Sequence, residues 1–411
     1  MYKKTVINLT LHVIIVVGSY FILFNLKIFN LLPDNTNLLN WDASFHHSIM
    51  AEGYQYIAFT GCNLAFFPLF PMIWKLIGLS PMGISIFNSL IFLAGLSWLL
   101  RKEQISSVMQ LLLISIPSFI FFALPYSESI FFLFTTMVII GYRNNNQLLR
   151  NIGFLGASVV KSASIVLMPA IIICEFMSAR ERKFNERLSH SMIWSALSSF
   201  AGLLIAACIQ GMQTGKWFYF LEMQQYWGRH WILPELPLYS PIAYDAISFM
   251  MGVIAIYLSA KYFYGAMISL QASVRMLFPD KAVIFSLLYL SATTVLDTFF
   301  TYNNGGANIW SINRHFLCTP FVIVMIIWLV RDFSPSKTEW ILMLLLTLSG
   351  IYFTRIYQSP LYLLSYVLFF TTLTVLKMDK GYAKYLIIIY LFNAFIQLQY
   401  YHGFLSGNWI G

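Results

Sequence analysis

The chain has 411 residues, of which 59% are hydrophobic, 18% aromatic and only 10% charged, and a mean hydropathy of +0.72 excludes a soluble globular protein. Its formal net charge of +9 does not point to nucleic acid, because Lys and Arg stand singly or in pairs between apolar runs, as in the cytoplasmic loops of membrane proteins. Four cysteines, Cys62, Cys174, Cys208 and Cys318, have no metal-ligand spacing and force no disulfide.

Repeated apolar runs of about 20 residues predict an all-α, polytopic integral membrane protein of about 11–13 transmembrane helices, a single membrane domain over 1–411. Met1-Tyr2-Lys3-Lys4 leads into the run 6–29, too long for a signal-peptide core and without a small-residue cleavage site. It is read as the first span, with the N-terminus cytoplasmic. The polar segment 40–54 follows and carries Asp42, His46, His47 and Glu52, and ionisable groups beside lipid are functional candidates by default.

The run 64–79, rich in Phe and Pro, is placed as an interfacial helix, since a crossing there would put Arg101, Lys102 and the loop 143–150 outside. Spans are then expected near 82–100, 105–124 and 129–141. The run 151–177 is long for one helix and is interrupted by Lys161 and Ser162; two short helices turning at Lys161 keep Arg143 and Arg150 on the side of Arg180, Arg182, Lys183 and Arg187. Further spans fall near 190–210, 241–260, 282–300, 316–330, 340–353, 361–376 and 385–404, with 261–281 a partly amphipathic cytoplasmic connection. This path puts 18 of the 25 basic residues on the cytoplasmic side and leaves 30–80, 211–240 and 301–314 as the long external segments.

Residues able to do chemistry gather on that external side, and each has a plain alternative. Asp42 suits a helix N-cap or first turn, and equally a general base for a hydroxyl. His46, one turn later, can face the same site or simply the interface. Tyr126 and Glu128 sit in Pro125-Tyr126-Ser127-Glu128-Ser129, which taken alone is ordinary turn chemistry. Lys161, isolated in an apolar segment, can simply snorkel. Trp227 and Arg229, in Gln224-Gln225-Tyr226-Trp227-Gly228-Arg229-His230-Trp231, can anchor the chain at the membrane surface or stack on a sugar. Arg314 at the outer end of 316–330 can anchor at head groups or grip a phosphate through its planar fork. No Asp-X-Asp pair accompanies Asp42, so the residues argue for no metal, and whether a divalent cofactor is needed stays open.

Trp41-Asp42-Ala43, Ile49, Gly53-Tyr54 and the run Ala65-Phe66-Phe67-Pro68-Leu69-Phe70-Pro71 are similar to the opening motif of the PIG-V family of membrane mannosyltransferases, which have the GT-C fold. The strings at 125–129 and 227–229, and Arg314, extend that resemblance over most of the chain; it thins after Arg331. Departures are His46 where an aromatic is usual, His315 where Tyr follows the Arg, and Lys161-Ser162-Ala163-Ser164 in place of an Arg-Pro-X-Gly turn.

The resemblance implies an inverting transfer of mannose or another hexose from a polyprenyl- or dolichyl-phosphate donor to a hydroxyl of a glycan, lipid or protein, at the outer membrane face. It makes Asp42 catalytic, Arg314 and Lys161 the holders of the donor phosphate, and Trp41, His46, Tyr126, Glu128, Trp227 and Arg229 substrate-binding. For a prokaryotic relative the location would be the plasma membrane. The rival readings are a lipid-linked glycan flippase and a non-catalytic membrane scaffold.

Overall fold

Long apolar runs without internal proline become long helices, and proline sits at helix starts, where its missing N–H has no intrahelical partner to lose. The computed structural model describes residues 2–178, 190–240, 242–271, 279–302, 308–378 and 385–411. In chain order, α1 (Tyr2–Asn25) is followed by the short α2 (Asp42–Glu52) and α3 (Leu69–Ile77), then α4 (Pro81–Leu100) and α5 (Ser107–Ile114). A proline-headed 3-10 turn, Pro117–Ala123, leads to α6 (Glu128–Arg143), α7 (Gln147–Val160), α8 (Leu167–Ser178), α9 (His190–Thr214) and α10 (Tyr219–Tyr226). The remainder forms α11 (Ala243–Gln271), α12 (Lys281–Phe299), α13 (Ile312–Leu317), α14 (Pro320–Arg331), α15 (Lys337–Phe353), α16 (Pro360–Met378) and α17 (Ile387–Leu405). One antiparallel ribbon is described, β1 (Arg229–Trp231) on β2 (Phe300–Tyr302) with Arg229 opposite Tyr302, so the architecture is all-α.

Among the described residues six helices are long and apolar enough to cross a membrane: α1, α4, α9, α11, α12 and α16. A seventh is added if the Pro117–Ala123 turn and α6, bent by 105°, count as one span. The expected 11–13 is not reached by helices of that length, and proline explains part of the shortfall. The run 105–124 stops at Ile114 ahead of Pro117, and 316–330 divides ahead of Pro320, leaving α14 with 12 residues. The run 64–79 yields only the nine residues of α3, too few to cross. The run 151–177 does break at Lys161, whose backbone is extended (φ −147, ψ 135). Conversely, α11 continues past Ala260 to Gln271, so the expected connection 261–281 is helical in its first half. Arg180, Arg182, Lys183, Arg187, Arg275, Lys380 and Lys384, expected on the cytoplasmic side, lie outside the described residues.

Small residues let α6, α7 and α9 approach closely, as helices do when no hydrophobic effect drives them together. A Cβ on Gly153 of α7 would lie 2.7 Å from the Phe134 carbonyl of α6, and one on Gly202 of α9 would lie 2.6 Å from the Leu155 carbonyl of α7.

Several of these helices carry ionisable groups at both ends. Helix α6 runs from Glu128 to Arg143, roughly 24 Å at 1.5 Å per residue. Helix α12 runs from Lys281 towards Asp297, and α11 from Asp245 past Lys261. At one end Glu103 takes Arg143 at 2.6 Å and Arg331 at 2.9 Å, Glu175 takes Lys281 at 2.7 Å, and Glu339 takes Lys261. At the other end Glu128, Asp297 and Asp245 are buried, and there the candidate site lies.

Candidate active site

The site begins at a strained junction. Trp41 precedes α2 with φ 54 and ψ −130, a conformation that costs a non-glycine residue of order 1–3 kcal/mol, and its indole N–H donates to the Asn408 carbonyl at 3.1 Å. The Trp41 ring meets Trp409 edge-on at 5.0 Å. Asp42 opens the helix where the dipole favours an anion, but no side chain caps α2. Its carboxylate reaches across the fold instead, Oδ2 lying 2.8 Å from Arg314 Nη2.

Arg314 is set by a tightly held turn. Ser311 adopts φ 67, and the backbone N–H of Asn313 donates to buried Asp245 at 2.9 Å, while the Ser240 hydroxyl donates to the same carboxylate at 2.6 Å. The guanidinium then donates through Nε and Nη2 to Glu128 Oε1, at 3.0 and 2.8 Å, and lies over the rings of Tyr126 and Phe121 at 4.7 and 5.1 Å. Lys161 Nζ donates to that same Glu128 oxygen at 2.9 Å. The result is an alternating chain, Asp42–Arg314–Glu128–Lys161, drawn from α2, α13, α6 and the break after α7. Glu128 and Arg314 are 1% and 6% exposed, so the chain is held by mutual neutralisation, and removing one member would leave an uncompensated buried charge.

A second cluster lies beside it. His315 Nδ1 is 2.9 and 3.1 Å from the two oxygens of Asp297, and Arg229 Nη1 of β1 is 3.7 Å from Asp297 Oδ1. Burial pushes the His315 pKa down despite the adjacent carboxylate, so the neutral ring donates its Nδ1 proton to Asp297.

Both clusters open on one cavity of about 1010 Å³, lined by Asp42, Lys161, Arg229, Asp297, Arg314 and His315, with Trp41, Phe66, Trp227, Trp310 and Trp409 among its aromatic walls. That lies at the upper end of small-molecule sites, which run to about 1,000 Å³. Trp227 stands edge-on to Phe45 at 5.0 Å, and its indole N–H has no partner among the described residues. His46 is 2% exposed between Phe66 and Phe70, with ring centroids 5.1 and 5.0 Å away, and burial pushes its pKa down to about 4. It is therefore a neutral, enclosed ring rather than an interfacial one.

Of the residues singled out in the sequence, Trp41, Asp42, His46, Lys161, Trp227, Arg229 and Arg314 line this one cavity. Tyr126 and Glu128 do not line it; they lie behind the wall, where they position Arg314 and Lys161. Asp297 escaped sequence reasoning although a signal existed, a carboxylate inside the apolar run 282–300. Trp310 and Trp409 had no such signal. Among the described residues no three His, Cys, Asp or Glu side chains are grouped to hold a metal ion.

Fold and cavity together define an all-α protein with several helices of membrane-spanning length and a half-open, charge-balanced, aromatic-walled cavity at one end of the bundle. No family model, no curated protein and no solved structure matches the chain.

Proposed function

We propose that this chain is a GT-C-type glycosyltransferase, similar to the PIG-V family, that moves a hexose from a polyprenyl-phosphate donor to an acceptor hydroxyl at the outer membrane face. One observation carries the reading. Asp42, Lys161, Trp227, Arg229 and Arg314, which are spread over more than half the sequence, converge on a single cavity large enough for a sugar phosphate.

In this reading Lys161 and Arg314 face the donor phosphate, with Glu128 fixing both cations from behind. Donor phosphate competes with Asp42 for Arg314 Nη2, and its arrival releases Asp42 to act on the acceptor. The acceptor oxygen then attacks the anomeric carbon, its proton passes to Asp42, and the carbon–oxygen bond to phosphate breaks with its electron pair on the polyprenyl phosphate. Fixed positive charge in a water-poor site stabilises that leaving charge. Direct displacement inverts the anomeric centre, and no covalent enzyme intermediate forms. The end bearing Arg143, Lys261, Lys281 and Arg331 faces the cytoplasm, following the bias of basic residues to that side.

The test is reconstitution of purified protein in liposomes with a polyprenyl-phosphate hexose labelled in the sugar and a crude glycolipid acceptor fraction. Appearance of free polyprenyl phosphate and a labelled glycan supports the proposal. Movement of intact donor between leaflets without loss of its sugar would make the protein a flippase instead.

A further inference from the structure

The cavity contains an acid–imidazole pair that the mechanism above leaves unused. His315 lines it, and its Nδ1 is committed to Asp297 at 2.9 Å. Because an ionised carboxylate only accepts, the ring's one proton sits on Nδ1, and Nε2 presents a lone pair with no partner among the described residues. Asp297, 3% exposed, is braced in turn by Arg229 at 3.7 Å. Three elements, β1, α12 and α13, therefore fix the tautomer and direction of one ring.

An atom that only accepts selects a ligand atom that donates, a hydroxyl rather than a phosphate oxygen. The charged groups acting on His315 are Asp297, Lys161 and Arg229. In the proposed mechanism the donor phosphate lies at Lys161 and Arg314, and the sugar bonded directly to it brings its hydroxyls into the cavity that His315 also lines. We propose that His315 is a sugar-recognition residue: its Nε2 accepts a hydrogen bond from one hydroxyl of the hexose being transferred, and Asp297 and Arg229 are positioning residues that hold the ring for it. The inference rests on the glycosyl-transfer reading and deepens it to the choice of sugar. An acceptor covered by the bound donor but left unpaired by the wrong sugar disfavours that sugar, by about tenfold or more for a single lost hydrogen bond.

The experiment measures kcat/KM for a polyprenyl-phosphate hexose and each of its monodeoxy derivatives, with wild-type protein, His315→Asn and Asp297→Asn. Asparagine at 315 can reproduce the Nδ1 donor to Asp297 while removing Nε2. Wild type is expected to lose about tenfold or more with one particular deoxy donor. In His315→Asn the complete donor should fall by a similar factor, and that one penalty should vanish while the penalties at other positions persist. Asp297→Asn should shrink the same penalty, and carries the test if His315→Asn fails to fold. Identical deoxy penalties in all three proteins would overturn the proposal. So would a uniform loss with every donor together with loss of the acidic limb of the pH profile, which would make His315 a proton acceptor. Absence of transfer by wild type from any donor would be a different failure, that of the glycosyl-transfer reading itself.

Discussion

The two ends of the bundle use the same residue types in opposite ways. At the end holding Glu103, Glu175 and Glu339, the cations reach in from partly open positions, with Lys261 and Lys281 30% and Arg331 46% exposed, and each ties two separate segments of the chain together. At the cavity end a single buried arginine holds two carboxylates, one of which, Asp42, is also open to the cavity at 21% exposure. Stitching of this kind needs only approximate geometry, and water screens much of what it contributes. The buried chain holds fixed charges at the wall of a cavity large enough for a sugar phosphate, an arrangement that stability alone does not call for.

The sharpest way to break this contrast is to cut the buried chain. Glu128→Ala strands Arg314 and Lys161 without their shared partner and should destabilise the fold by about 3–5 kcal/mol, read as a fall in thermal unfolding temperature in detergent. Arg314→Lys preserves the charge but cannot span Glu128 and Asp42 with a planar fork, so donor affinity should fall while the protein still folds and inserts. Unchanged donor dependence in that variant would reduce Arg314 to a structural anchor.

His46 adds a pH signature. Its pKa falls from 6.5 to about 4 on folding, so above pH 6.5 the ring is neutral in both states and costs nothing. As pH drops from 6.5 towards about 4, the unfolded chain binds a proton that the folded chain refuses, and stability declines across that window. His46→Gln should flatten this part of the stability curve, measured by denaturation at a series of pH values. The smallest effect belongs to the other end: Arg331→Met leaves Glu103 paired with Arg143 and should change stability by no more than about 1 kcal/mol, with transfer unaffected.

How much of this was legible in the sequence depended on whether the signal was local. The all-helical class followed from composition, and the break at Lys161 from two polar residues in an apolar run. Helix lengths were less accessible, because proline divides the runs 105–124 and 316–330 in ways that a count of hydrophobic residues overlooks. Asp42, Lys161 and Arg314 could be singled out because charge in an apolar chain is rare. Their pairing could not be read, since it joins positions 42, 128, 161 and 314 through packing. For the same reason Glu128 looked like a wall residue and proves to stand behind the wall.

The proposed role of Asp42 is to take the proton of the acceptor hydroxyl. It is tested most directly by transfer from a synthetic polyprenyl-phosphate sugar with purified, reconstituted Asp42→Asn, its thermal stability followed in parallel. Asparagine keeps size and polarity but cannot take a proton near neutral pH, so transfer should fall by about 10²- to 10⁴-fold while donor binding, given to Lys161 and Arg314 in the proposed mechanism, is retained. Wild-type turnover in a well-folded Asp42→Asn protein would contradict the account and leave Asp42 as a counter-ion for Arg314 alone.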